Sequence, residues 1–136
     1  MALPNGAGGY QVGDGNLGEV TLGTSPIPTA YTAAATLTTL DLAGGLVVYT
    51  SASTADLALP VVVGVGGVNA DISSAKVNSS FDIALVATST GVPTITAPAN
   101  SGWTLVGSGA GVASRSVLFR AVKTSATTYN LYRIAG

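Results

Sequence analysis

Residues 80–87 alternate between apolar and polar positions, with Phe81, Ile83 and Leu85 falling on one side. A two-residue period is the pattern of a half-buried strand. Short Val-, Leu- and Thr-rich runs at 46–50, 56–60, 92–97, 102–107, 114–123 and 128–134 predict six more strands. Branched side chains fit a pleated surface better than a helix. Most of the 18 glycines and 6 prolines lie between these runs, where turns are needed. The last two runs are separated by residues 124–127, which predicts a hairpin with a four-residue loop. Seven short strands with frequent turns predict an all-β body, a single β-sandwich or jelly-roll-like barrel. Its expected buried core includes Phe81, Ile83, Leu85, Leu105 and Phe119.

Two segments read as helical. Residues 36–45 predict one turn closed by glycine. Residues 66–75 predict a short helix capped by Asn69 or Asp71, with Ile72 facing inward. Residues 1–35 have a different character and are expected to form an extended N-terminal arm, leaving 36–136 as the body. Seven glycines between Gly6 and Gly23, then Pro26 and Pro28, rule out a stable helix there. Tyr10, Val12, Leu17 and Leu22 still give this arm apolar groups to bury, so it is expected to order against a partner.

Composition narrows the chemistry. The 136 residues contain no histidine and no cysteine, and 8% are charged against about 25% in an average soluble domain. Hydrolysis through a histidine base is excluded, as are disulfides and thiolate metal sites. Lys123 sits in no Ser-x-x-Lys motif, and no two of the six acids lie close in sequence. Gly13, Gly15 and Gly18 match the dinucleotide-binding spacing, but no helical pattern follows to receive a pyrophosphate. The expectation is no enzyme, no cofactor and no metal. Trp103, Tyr129 and Tyr132 read as core or rim packing, with sugar stacking as the alternative.

The formal net charge of −1 gives no field to attract nucleic acid or an anionic membrane. The apolar stretch at 57–68 is broken by Pro60, Gly64, Gly66 and Gly67, far short of the ~20 residues a membrane helix needs. The first six residues have neither the basic nor the apolar part of a secretory signal. Charge is unevenly placed: residues 1–75 hold five acids and no base, whereas 76–136 hold five bases against Asp82. Arg115, Arg120, Lys123 and Arg133 fall on two expected hairpin partners and are expected to share one edge. There they would meet acids of a neighbouring subunit or of a larger assembly's shell, or simply be solvated.

From Thr36 onward the chain resembles small capsid decoration, or cement, proteins of tailed bacteriophages. The resemblance is carried by 37–42, 45–50, 57–60, 78–83, 103–109, Phe119 with Arg120, and 129–134, in that order and spacing. The apolar glycine-broken stretch at 61–67 departs from an alanine-rich helix in similar proteins. The likeness implies a homotrimer on the outer surface of the virion head, made in the host cytoplasm and bridging major capsid protein subunits. Contacts would come from Tyr10, Val12, Leu17, Leu22, Arg115, Arg120 and Arg133. The same module is reused in virion appendages, so a receptor- or glycan-binding fibre domain is the alternative.

Overall fold

A computed structural model gives the structure of residues 26–136. Nine strands and two short helices follow one another as β1 (Ala30–Tyr31), β2 (Ala35–Thr36), α1 (Thr39–Gly44), β3 (Leu46–Tyr49), β4 (Ala55–Ala58), α2 (Val68–Asp71), β5 (Ser80–Ala87), β6 (Pro93–Thr96), β7 (Trp103–Val106), β8 (Ser116–Ser125) and β9 (Thr128–Ala135). The protein is β-rich with few helices and mixed sheets, as the alternation of its residues predicts at that level. All seven expected strands are present, with ends shifted by at most two residues. β1 and β2 are additional, and they tie the last residues of the expected arm to the body.

The first six strands alternate between two sheets. β1, β3 and β5 pair in parallel in one, while β2, β4 and β6 pair in parallel in the other. A parallel neighbour needs a crossover connection, and here each crossover passes through a strand of the opposite sheet. The chain therefore winds through three stacked coils, as in a short β-solenoid. The larger sheet then continues with the β8–β9 hairpin and ends at β7, giving the order β1-β3-β5-β8-β9-β7. β8 joins the coils by antiparallel pairing with β5, setting Ile83 opposite Phe119.

Inward residues of both sheets meet in one core. Val47, Tyr49, Ile83, Leu85, Phe119 and Leu131 come from the larger sheet, and Leu57 and Ile95 from the smaller. Ile83, Leu85 and Phe119 are fully buried as expected. Phe81 and Leu105 are instead half-buried and pack against the core from its margin. Trp103 is buried, and its indole N–H donates to the Pro60 carbonyl at 2.8 Å. Trp103 and Tyr129 lie with ring centroids 5.1 Å apart, confirming these two aromatics as packing groups.

α1 forms because both of its ends are satisfied. The Thr38 hydroxyl accepts from the Asp41 N–H, and the Asp41 carboxylate accepts from the Thr38 N–H at 2.9 Å. Gly45 closes the helix at φ 72°, and a Cβ there would come within 2.9 Å of the Asp82 carbonyl oxygen. The same Asp41 carboxylate accepts from the Tyr31 hydroxyl at 2.5 Å, tying β1 to α1. α2 follows Gly67, which provides no side-chain cap. Asn69 and Asp71, the expected caps, lie within the helix, because their side chains are engaged elsewhere. Asn69 donates to the Ala126 carbonyl, and Asp71 accepts from the Thr39 hydroxyl.

The hairpin turn is tighter than its sequence suggests. Strand pairing runs through to Ser125 and Thr128, leaving Ala126 and Thr127 between the strands in place of four loop residues. Hydroxyl groups of Thr124 and Ser125 meet that of Thr128 at 2.7 and 2.6 Å, holding these polar residues in the ladder.

Two outcomes follow. Phe119→Ala should cost about 3–5 kcal/mol in chemical denaturation, because its ring is fully buried between two flanking strands. Tyr31 has its pKa raised to about 12, first by burial and then by the Asp41 carboxylate. The fold thus favours the protonated phenol, and its contribution is complete below pH ~10, the unfolded value. Melting temperature should fall between pH ~10 and about 12 more steeply than in Tyr31→Phe, which lacks the titrating group.

Candidate functional site

The four expected contact cations do not converge, because strand alternation separates them. Arg115 is exposed in the turn before β8. Arg120 points outward from the larger sheet and makes a two-armed ion pair with Asp82 of β5, at 2.7 and 3.1 Å. The guanidinium beside Asp82 holds its carboxyl below the ordinary carboxylate range. Lys123, three residues further along, faces inward and is buried. Its ammonium donates to Asn69 Oδ1 at 3.1 Å and to the Ala75 carbonyl at 3.0 Å, and sits 5.7 Å from the Tyr129 ring centroid. Arg133 donates to the carbonyls of Ser108, Ala110 and Gly136, fastening the 108–110 loop to the C-terminus. Tyr10, Val12, Leu17 and Leu22 lie outside the described residues.

Two exposed apolar features stand out more than the cations. The first is the 61–67 loop. Val62 is buried and donates its N–H to the Ser101 carbonyl at 2.8 Å, anchoring the loop base. Val61, Val63 and Val65 project into solvent, Val65 completely and Val63 at 57% exposure. Gly64 and Gly66, at φ 127° and 70°, supply the backbone reversal that turns successive valines outward.

The second is the outer face of the six-stranded sheet. Register places Leu46 beside Ala84 and Leu118, and Val48 beside Val86. Val122 neighbours Asn130, and Tyr132 neighbours Val106. Most of these side chains are half-buried by their neighbours, while Val106 and Ile134 are exposed. A single-layer sheet facing water normally carries polar residues at its outward positions. Here aliphatic residues share the outward positions with Ser80, Thr104, Ser116, Thr124 and Asn130 and with the Asp82–Arg120 pair. Both features were present in the sequence as the valines of 61–67 and the even-numbered positions of β5 and β8. Inward alternation draws attention to the odd-numbered positions, and the outward set becomes a surface only once the strands are registered.

Polar chemistry is dispersed. Among the described residues there is no group of three or more acids that could hold a metal, and no helix long and apolar enough to cross a membrane. An open groove of about 520 Å³ lies between the 32–34 and 51–56 turns, lined mainly by small and hydroxyl side chains with Asp56. Tyr49 at its floor is fully buried and donates its hydroxyl to the Ser53 carbonyl at 2.5 Å, so no aromatic face is open to a sugar there. No family model, curated protein or solved structure matches this chain.

The division of the cations is testable. Lys123→Ala should lower stability by about 1–3 kcal/mol, since it removes charge-assisted hydrogen bonds that hold the 69–75 segment. Arg120→Ala should leave the melting temperature nearly unchanged, because its ion pair lies in solvent. Thermal denaturation of both variants checks the contrast.

Proposed function

We propose that this chain is a structural virion protein that decorates the outside of a tailed-phage head as a homotrimer and stabilises it by bridging major capsid protein subunits. Its β-rich body acts as a compact sandwich-like block in that role. The reading rests on the resemblance of residues 36–136 together with one structural observation: two separate surfaces on one small body, the 61–67 loop and the outer sheet face, carry aliphatic side chains. A bridging protein needs one surface for the shell and another for its own copies. The 61–67 loop suits the first, because its valines project beyond the body where they can enter a recess. Such attachment works by removing apolar surface from water and needs no bond-making chemistry.

The alternative, a glycan-binding appendage domain, calls for exposed aromatic faces beside carboxylates. Tyr49, Trp103 and Tyr129 are buried, which favours decoration.

Electron cryomicroscopy of undecorated phage heads incubated with the full chain should show added density across capsomer joints. Val65→Asp should reduce occupancy at limiting protein by ~10-fold, equivalent to about 1.4 kcal/mol, with no loss of melting temperature. Heads that stay bare at saturating protein, together with binding to a glycan array, would replace decoration with the appendage reading.

A further inference from the structure

We infer that residues 63–77 form a strap that opens as a unit while both sheets stay folded, and that Lys123 is its latch. The inference goes beyond the decoration reading and is tested on the free chain. The segment is bonded chiefly to itself. The N–H groups of Val68, Asn69, Ile72 and Ala75 donate to the carbonyls of Val61, Val62, Val68 and Ile72, all within the strap or at its base. Backbone bonds to the rest of the body stand at its two ends, from Val62 to Ser101 and from Asn78 to Lys123. Between them the hold is made by side chains: Lys123 to Asn69 and Ala75, Asn69 to Ala126, and Thr39 to Asp71. Val68 is its fully buried apolar anchor. A stretch with few buried apolar groups and little backbone pairing to the body lies at the low end of local stability.

What the strap covers favours its opening. Register sets Trp103, Tyr129 and Lys123 side by side on β7, β9 and β8. The chain is bonded to the first of these at Pro60 and to the last at Ala75, so the strap passes over Tyr129 between them. Closure takes two groups out of water at a cost. The Tyr129 hydroxyl is buried without a hydrogen-bond partner among the described residues. The Lys123 ammonium gives up its hydration for two acceptors and the edge of an aromatic site. Both costs are relieved when the strap lifts, whereas Ile83, Leu85 and Phe119 stay buried between the sheets. Val63 and Val65 stand on this strap, so the buried latch also fixes the pose of the loop assigned above to the shell.

Native-state hydrogen exchange of the full-length chain, read at single amides by NMR, is the test. The amides of Val68, Asn69, Ile72 and Ala75 should exchange together, at least ~100-fold faster than the bonded Ala84 amide of β5. Guanidinium below the unfolding transition should leave their rates nearly unchanged while raising that of Ala84 steeply, because a lifted strap exposes less surface than an unfolded chain. Lys123→Met keeps the stem and removes the ammonium, and should speed the strap amides ~10-fold. Tyr129→Phe removes the unpartnered hydroxyl and should slow them ~5-fold. Strap amides that exchange at the rate of Ala84 and rise as steeply with guanidinium overturn the inference, as do strap amides with no protection at all. Rates unchanged in Lys123→Met overturn the latch; should that variant not fold, rates unchanged in Tyr129→Phe overturn the covering of Tyr129. None of these measurements involves a phage head, so the decoration reading stands or falls separately.

Discussion

The antiparallel pairing of β5 with β8 is the constraint on which the rest of the architecture depends. Upstream of it the chain winds through coils whose larger-sheet strands pair in parallel; downstream it forms a long hairpin flanked by β7. Seven consecutive register pairs from Ser80 to Val86 join these halves into one sheet. That register sets Ile83 beside Phe119 and Leu85 beside Val117 on the inner side, so one alignment completes the core. It also sets Ala84 beside Leu118 and Asp82 beside Arg120 on the outer side. A slip of one residue would exchange the two faces and bury the ion pair.

Local pattern carried much of this organisation in the sequence. The strand at 80–87 and the glycine-closed turn before Leu46 were legible because alternation and capping act within a few residues. The winding between two sheets was not, since a four-residue strand carries no mark of which sheet it joins. That choice is made by long-range pairings such as Leu57 with Ile95. The candidate surfaces were legible in part. The cations were visible, but grouping them required knowing which side of a strand each occupies. Arg120 and Lys123 are separated by an odd number of steps, which put one in solvent and the other beneath α2. Phe81 and Leu105 were assigned the right side of their strands, but their positions near strand ends left them at the core margin.

Among the described residues, few charges remain free for recognition at a distance. Asp41 is committed to Thr38 and Tyr31, Lys123 to Asn69 and Ala75, Asp82 to Arg120, and Arg133 to three backbone carbonyls. In a chain with so few ionic groups, these bonds make charge a means of fastening loops and caps. Apolar burial and shape, by contrast, are short-ranged and act only once surfaces fit closely.

The treatment of the sheet edges narrows how such surfaces can meet. The edge strands β1, β2, β6 and β7 have four residues or fewer, and β6 is further covered by the 109–111 segment. There the Ile95 N–H donates to the Gly109 carbonyl and the Gly111 N–H to the Pro93 carbonyl, at 2.9 and 2.7 Å. A Cβ on Gly109 would overlap the Ile95 carbonyl oxygen, so glycine permits this close cover. Short and covered edges discourage indefinite strand addition from chain to chain. The broad outer face is covered differently: most of its aliphatic side chains are half-buried by their neighbours, beside the Asp82–Arg120 pair and hydroxyl residues. A fold whose edges are short and covered disfavours association by edge pairing, which need not close and can run on from chain to chain.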